Sequence, residues 1–154
     1  MTLVELMVVL ALLAGLCAMA LPNLLNALLP RYRLNNAAQR LVNDILYAKM
    51  RAVSTNRQHR IVFDTKNNAY WIEAGDRSRE SKNWSLETPV RRFEDPESDA
   101  YFPGVELVAA TEKVLMFKPT GWQTPMSVTM RHSRGQVIKI YTAIAGRIRM
   151  ERGV

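Results

Sequence analysis

The sequence predicts an α+β fold, in which a long N-terminal α-helix packs on a C-terminal antiparallel β-sheet domain. Residues 6–30 carry no charged side chain, residues 31–55 have the period of a helix, and apolar and polar residues alternate as in strands beyond residue 56. We therefore divide the 154 residues into a hydrophobic helix (1–30), an amphipathic helix (31–55) and a β-rich globular domain (56–154).

The first segment is apolar enough to predict a membrane helix near residues 2–22. Every residue from Leu6 to Leu21 is apolar or glycine, and about 20 such residues span a bilayer. A secretory signal peptide needs basic residues before its apolar core, whereas Arg31 and Arg33 follow the core here. If Met1 is an initiator, these arginines place the globular part in the cytoplasm. If Met1 is a terminus left by processing, a lost basic leader reverses that orientation.

Glu5 is the exception in this apolar segment. An isolated ionised carboxylate is costly in an apolar medium unless a cation or hydrogen bonds compensate it. The sequence therefore predicts that Glu5 either has a positively charged partner or extends to the membrane surface.

Residues 31–55 predict an amphipathic helix that packs on the domain. Arg40, Asp44, Lys49 and Arg51 are expected on the solvent side. Pro22 and Pro30 predict a bend without an end to the helix. The apolar positions recur at spacings of three and four, namely Leu34, Ala38, Leu41, Val42, Ile45, Ala48, Ala52 and Val53.

The β domain is predicted from runs with a period of two. Residues 59–64 and 69–74 form a predicted hairpin around the turn Lys66–Asn68, and a turn at 133–135 joins two later strands. Residues 75–99 are polar, contain Pro89 and Pro96, and predict a long solvent-facing loop with one short strand near 90–93. The remaining predicted strands are 105–109, 113–117, 126–132, 136–142 and 143–151.

Composition argues against metal, disulfide or catalytic chemistry, and we predict no cofactor and no enzymatic activity. Cys17 is the single cysteine, and His59 and His132 have no Cys/His spacing around them. Ser54, His59 and Asp64 are explained by ordinary strand alternation, and the sequence contains no glycine-rich phosphate loop.

The net charge of +7 is strongly segregated along the chain. Residues 31–60 hold seven Lys/Arg and one Asp (+6), residues 61–112 hold six against eleven acids (−5), and residues 113–154 hold eight and one Glu (+7). Surfaces of opposite sign are compatible with repeated subunit contacts and equally with ordinary solvated faces.

The opening "MTLVELMVVLALLAGLCAMALPNL" resembles the N-terminus of processed type IV pilins and type II secretion pseudopilins. Thr2, Leu3 and Glu5 match the family pattern, Pro22 matches its helix kink, and Gly15 falls where that helix often loosens. Met1 stands where the family usually has phenylalanine.

The remainder is similar to the H-type pseudopilin and FimT-like minor pilin group. The stretches that carry this similarity are "LYAKMRAVSTNRQHRIVFD", "MFKPTGW" and "AGRIRME". The paired C-terminal cysteines of major pilins are missing from the sequence, which favours a minor pilin or pseudopilin.

The resemblance implies a structural subunit of a type IV pilus-like or type II secretion filament. A prepilin peptidase would cut a basic leader, and Met1 would be processed and N-methylated. The subunit would cross the bacterial inner membrane once, with its C-terminal domain in the periplasm, and then join other pilin or pseudopilin subunits. Glu5 would pair with the α-amino group of a neighbouring subunit.

The closing "GRIR" suggests an alternative partner, DNA. On a strand, Arg147 and Arg149 would lie about 7 Å apart on one side and could meet neighbouring phosphates. In FimT-like pilins of DNA-uptake systems a matching motif is associated with DNA binding, whereas a solubilising or subunit-contacting edge strand is the simpler explanation. Further basic residues could widen the patch, namely Arg131, Arg134, Lys139 and Arg152.

Overall fold

The protein is described here by a computed structural model. It describes residues 3–153, and the side chains of residues 17 and 19–27 lie outside the description. Met1 is therefore outside the described residues. So is part of the predicted membrane segment. Among the residues that are described, no helix has both the length and the apolarity needed to cross a bilayer.

A single helix, α1 (Leu3–Thr55), occupies the first 53 described residues. It continues through Gly15, Pro22 and Pro30, as expected if each proline removes one backbone hydrogen bond without ending the helix. Its second half packs against strands of the β domain, whereas the described side chains of residues 3–16 are exposed.

The second half of α1 buries most of the face that the sequence predicts. Two positions were predicted wrongly. Val53 is 51% exposed, because it lies near the end of the helix on the side away from the sheets. Asp44 is buried rather than solvated, because it meets two polar partners from the β domain. The buried apolar residues are Leu34, Ala37, Ala38, Leu41, Ile45, Ala48 and Ala52.

The described residues beyond α1 form two antiparallel sheets. The first has the order β3-β2-β1-β6, with β4 also pairing β2, and the second has the order β5-β7-β8-β9. The strands are β1 (His59–Asp64), β2 (Ala69–Gly75), β3 (Trp84–Leu86), β4 (Arg91–Arg92), β5 (Val105–Ala110), β6 (Val114–Phe117), β7 (Met126–His132), β8 (Val137–Thr142) and β9 (Ile148–Gly153).

Asn68 joins the two sheets. It stands in the β1–β2 turn with φ at 49°, a conformation that asparagine tolerates better than most residues. Its Nδ2 donates to the Val105 carbonyl and its Oδ1 accepts from the Leu107 amide, both at 2.8 Å. The turn of the first sheet is thereby fixed to the edge strand of the second.

The segment 75–99 is not a solvent-facing loop throughout, as the sequence had predicted. The expected short strand is present as β4, but β3 was missed, and both strands pair with β2. Phe93 is fully buried, with its ring centroid 5.7 Å from that of Tyr70. Burial of the apolar Phe93 therefore packs this otherwise polar segment against the core.

The last strand also differs from the prediction. Residues 143–147 form a turn rather than the start of a strand, with Gly146 at φ 85° and its amide donating to the Ala143 carbonyl. β9 begins at Ile148 and pairs with β8, so that Tyr141 opposes Arg149 and Lys139 opposes Glu151. Arg147 therefore lies before the strand and not on it.

Candidate functional site

The first half of α1 presents an exposed apolar surface that carries one carboxylate. Leu3 is 76% exposed, Leu12 is 65% exposed, and Glu5 is exposed in the first turn. Exposed apolar surface of this extent normally marks contact with a partner or a membrane. This surface is therefore the first candidate site.

The other predicted positions of this helix are placed more simply. A Cβ added to Gly15 would meet no atom within 4 Å among the described residues. Gly15 thus lies on an open helix surface where a neighbouring helix could approach closely. Pro22 lies within α1, but its side chain is outside the description.

Of the six basic residues predicted as one patch, five are divided between two surfaces and Arg147 belongs to neither. Lys139, Arg149 and Arg131 lie on the outer face of the second sheet, opposite the buried Ile138 and Ile140. Arg149 Nη2 lies 3.1 Å from Glu151 Oε1, and Arg131 Nη2 lies 2.9 Å from Glu106 Oε2. Three cations and two carboxylates leave this face a formal charge of only +1.

Arg152 and Arg134 belong to a different surface. Arg152 is opposite Ile138 in the β8–β9 register, and its Nη2 donates to Asn35 Oδ1 of α1 at 3.3 Å. Arg134 stands in the β7–β8 turn, where its amide donates to His132 Nδ1 at 3.2 Å. Arg147 lies in the β8–β9 turn, apart from both groups.

Arg31, Arg134 and Arg152 together border a cleft of about 640 Å³ between α1, the β7–β8 turn and the end of β9. Its walls are largely apolar and include Leu28 and Val137. Among the described residues that line it, none is acidic. Sequence reasoning placed Arg152 and Arg134 in one patch with four other basic residues and did not include Arg31, because only the packing of the helix on the sheet brings Arg31 to the cleft.

A buried polar cluster fixes α1 to the first sheet. Asp44 Oδ2 accepts a 2.6 Å hydrogen bond from the Tyr70 hydroxyl and lies 2.9 Å from Arg91 Nε. Burial, followed by the nearby Asp44 charge, raises the pKa of Tyr70 well above its usual 10.0, so the hydroxyl keeps its proton and donates. Sequence reasoning missed this cluster, since its members come from three distant segments.

The two histidines are structural. Burial is the main cause that lowers the pKa of both His59 and His132 below 6.5. For His132, the nearby charges of Arg134 and Arg33 lower the pKa further. Both side chains therefore stay neutral near pH 7. Within the described part of the chain, no group of three or more His, Cys, Asp or Glu side chains could hold a metal ion.

The family described as "Type II transport protein GspH" matches residues 37–146, which is more than half of the chain. The chain belongs to the GspH family. The matched region includes most of the packed half of α1 and the strands from β1 to β8. No curated protein matches the sequence.

Solved structures of this kind share the fold. The minor pseudopilin EpsH of the type 2 secretion system of Vibrio cholerae aligns with a TM-score of 0.60 at 12% identity, over 78% of this chain and 97% of that one. The solution structure of E. coli GspH gives 0.60 at 14% identity, over 79% and 89%. The Pseudomonas aeruginosa type IV minor pilin FimU gives 0.55 at 19% identity, over 79% and 90%.

The chain is thus a type II transport protein of the GspH family and not an enzyme, and it has the fold of the minor pseudopilin EpsH and the minor pilin FimU. The predicted α+β fold and the predicted family are confirmed. The roles predicted for individual residues stay predictions.

Proposed function

We propose that this subunit assembles through the exposed first half of α1 into a type IV pilus-like or type II secretion filament. The observation that carries the proposal is the apolar, solvent-exposed helix surface with Glu5 in its first turn. Such a surface is unfavourable in water, because burying apolar surface against other apolar surface stabilises by about 25 cal/mol per Å². Packing of equivalent helices in a filament core would bury it.

Glu5 gives this assembly its direction. A carboxylate in an apolar filament core is costly unless a cation lies beside it, and the α-amino group of a neighbouring subunit is the cation that a processed Met1 would offer. Pairing Glu5 with that group would favour one axial register between helices. The role of Met1 as a processed, methylated terminus rests on the family resemblance of residues 1–24.

Before assembly, we place the subunit in the bacterial inner membrane, with residues 31–154 in the periplasm. The uncharged run 6–30 supports this placement, since its 25 residues as a helix extend about 37 Å against a hydrocarbon thickness of about 30 Å. A prepilin peptidase would then be the processing partner.

Cross-linking tests the assembly surface. A photo-crosslinking residue at Leu10 or Leu13 of the full-length chain should yield adducts with other pilin-like subunits in cells. The same residue at Lys66, at the tip of the exposed β1–β2 turn, is the matched control and should yield fewer. Adducts that are equally frequent at Lys66, or that are missing at both helix positions, would contradict the proposal.

A DNA-receptor role on the same fold is the alternative. Lys139 and Arg149 support it, because both are exposed on one face, while the carboxylates of Glu106 and Glu151 reduce the charge available to phosphates. A gel-shift assay with the full-length protein and its Lys139→Gln and Arg149→Gln variants separates the two functions. Binding that both substitutions weaken would favour the DNA receptor, and a lack of binding would favour the purely structural subunit.

A further inference from the structure

The cleft bordered by Arg31, Arg134 and Arg152 is positioned where an anchored helix would leave the membrane. Arg31 directly follows the uncharged run 6–30, and Leu28 and Tyr32 of the same helix line the cleft. Tyr32 is 62% exposed, and exposed tyrosines of this kind are typical of the headgroup level.

The chemistry of the cleft suits an anion with an attached apolar group. The guanidinium groups come from three elements, namely α1, the β7–β8 turn and β9, and a guanidinium can bind phosphate oxygens through two parallel hydrogen bonds. Asn35 holds the guanidinium of Arg152 from one side, so the fork is oriented before a ligand arrives. Leu28, Leu34 and Val137 provide apolar wall beside these charges.

We infer that this cleft binds the phosphate headgroup of an anionic phospholipid from the membrane that surrounds the helix. The inference rests on the proposed function, because the anchored helix is what brings the cleft to headgroup level. Charge complementarity favours an anionic lipid over a zwitterionic one. A zwitterionic headgroup carries its own cationic group, which the three arginines bordering the site would repel. The bound lipid would hold the β domain at a fixed height above the membrane before assembly.

The competing occupant is an acidic protein segment, such as residues 94–99, which hold four carboxylates. Two observations favour the lipid. The cleft adjoins the end of the apolar run 6–30, from which Leu28 contributes to its wall, and its size of about 640 Å³ suits a headgroup with the first atoms of its acyl chains.

Binding is measured by calorimetry on the full-length protein in non-ionic detergent, titrated with short-chain phosphatidylglycerol or phosphatidylcholine. We expect saturable binding of phosphatidylglycerol and a weaker affinity for phosphatidylcholine. Arg31→Gln and Arg152→Gln should each lower the affinity for phosphatidylglycerol about fivefold, since a basic residue near an anionic headgroup contributes about 1 kcal/mol. Arg57→Gln, which removes an exposed arginine two residues after the C-terminal end of α1, is the matched control and should leave the affinity unchanged.

Four results would overturn the inference. They are equal affinity for the two lipids, equal weakening by Arg57→Gln, inorganic phosphate binding as tightly as the lipid, and a peptide of residues 94–99 binding while the lipid does not. The inference and the proposed function fail separately. The lipid titration requires no filament, whereas the cross-links from Leu10 require no headgroup binding.

Discussion

The carboxylate of Asp44, in the packed second half of α1, lies 2.9 Å from Nε of Arg91 in β4, and the two side chains are only 8% and 9% exposed. Tyr70 donates to the same carboxylate oxygen. Removing one member of a buried ion pair leaves the other charge buried without compensation, which costs about 3–5 kcal/mol.

Asp44→Ala should therefore lower the free energy of unfolding by about 3–5 kcal/mol, measured by chemical denaturation of the full-length protein. Asp99→Ala is the control, because Asp99 lies 3.7 Å from the same arginine with its own side chain 70% exposed. Asp99→Ala should lower the free energy of unfolding by less than about 1 kcal/mol. Equal losses in the two variants would show that the buried contact does not hold the helix to the sheet.

Acid should destabilise the fold through His59 and His132. Burial holds the pKa of each histidine below the value of 6.5 that it has in the unfolded chain. At a pH between the folded and unfolded pKa values, the folded state therefore binds fewer protons. The contribution of the two neutral histidines to stability is then complete above about pH 6.5. It is lost as the pH falls from 6.5 through the pKa values of the folded state. The melting temperature should be lower at pH 5.5 than at pH 8, before most carboxylates titrate.

The double variant His59→Gln, His132→Gln should reduce this pH dependence. Its stability at pH 8 is the control for packing damage. A wild-type melting temperature that is the same at pH 5.5 and pH 8, or a double variant that keeps the full dependence, would refute the assignment.

The link between the sheets predicts a strong effect of an isosteric change at Asn68. Asn68→Asp keeps the acceptor for the Leu107 amide but sets a carboxylate oxygen against the Val105 carbonyl, which should cost about 1–3 kcal/mol. Asn56 also has a positive φ, at 52°, but it is exposed. Asn56→Asp should therefore change stability by less than about 0.5 kcal/mol. Similar losses at both positions in chemical denaturation would contradict the link.

Trypsin should distinguish the exposed part of the segment 75–99 from its packed part. Residues 76–80 are exposed, so cleavage after Arg77 and Arg79 should come first. Arg91 is buried in β4 and should be protected until the domain unfolds. Mass spectrometry of early fragments measures the order, and early cleavage after Arg91 would mean that β4 is not packed.

Local periodicity was enough to predict most of the fold. The alternation in "HRIVFD" and "MSVTMRH" corresponds to β1 and β7 with the predicted bounds, because each strand buries every second side chain. The helix that packs on them was predicted in the same way, since its buried positions recur at three and four.

Features that depend on distant partners were not predictable. Asp44 has the local pattern of a solvated charge, and only Tyr70 and Arg91, far along the chain, explain its burial. Ile144 and Ile148 would lie on the same face of an extended strand, but residues 143–147 form a turn in which Gly146 adopts a positive φ. The basic patch was wrong as a unit for the same reason, since strand pairing decides which face each arginine occupies.

We propose that Glu5 directs assembly by pairing with a neighbour's terminal amine. Glu5→Gln keeps the size of the side chain and removes its charge, so the β domain should fold and insertion into the membrane should become easier. Incorporation into filaments should fall, because the incoming subunit no longer gains a charge pair. Glu5→Asp, which keeps the charge but shortens its reach by one methylene, should be intermediate.

The decisive measurement is the fraction of subunit recovered in sheared or purified filaments relative to the membrane pool, compared between wild type and Glu5→Gln at equal expression. We expect Glu5→Gln to accumulate in the membrane and to be depleted from filaments, and Glu5→Asp to lie between Glu5→Gln and wild type. Incorporation of Glu5→Gln equal to that of wild type would contradict the proposal.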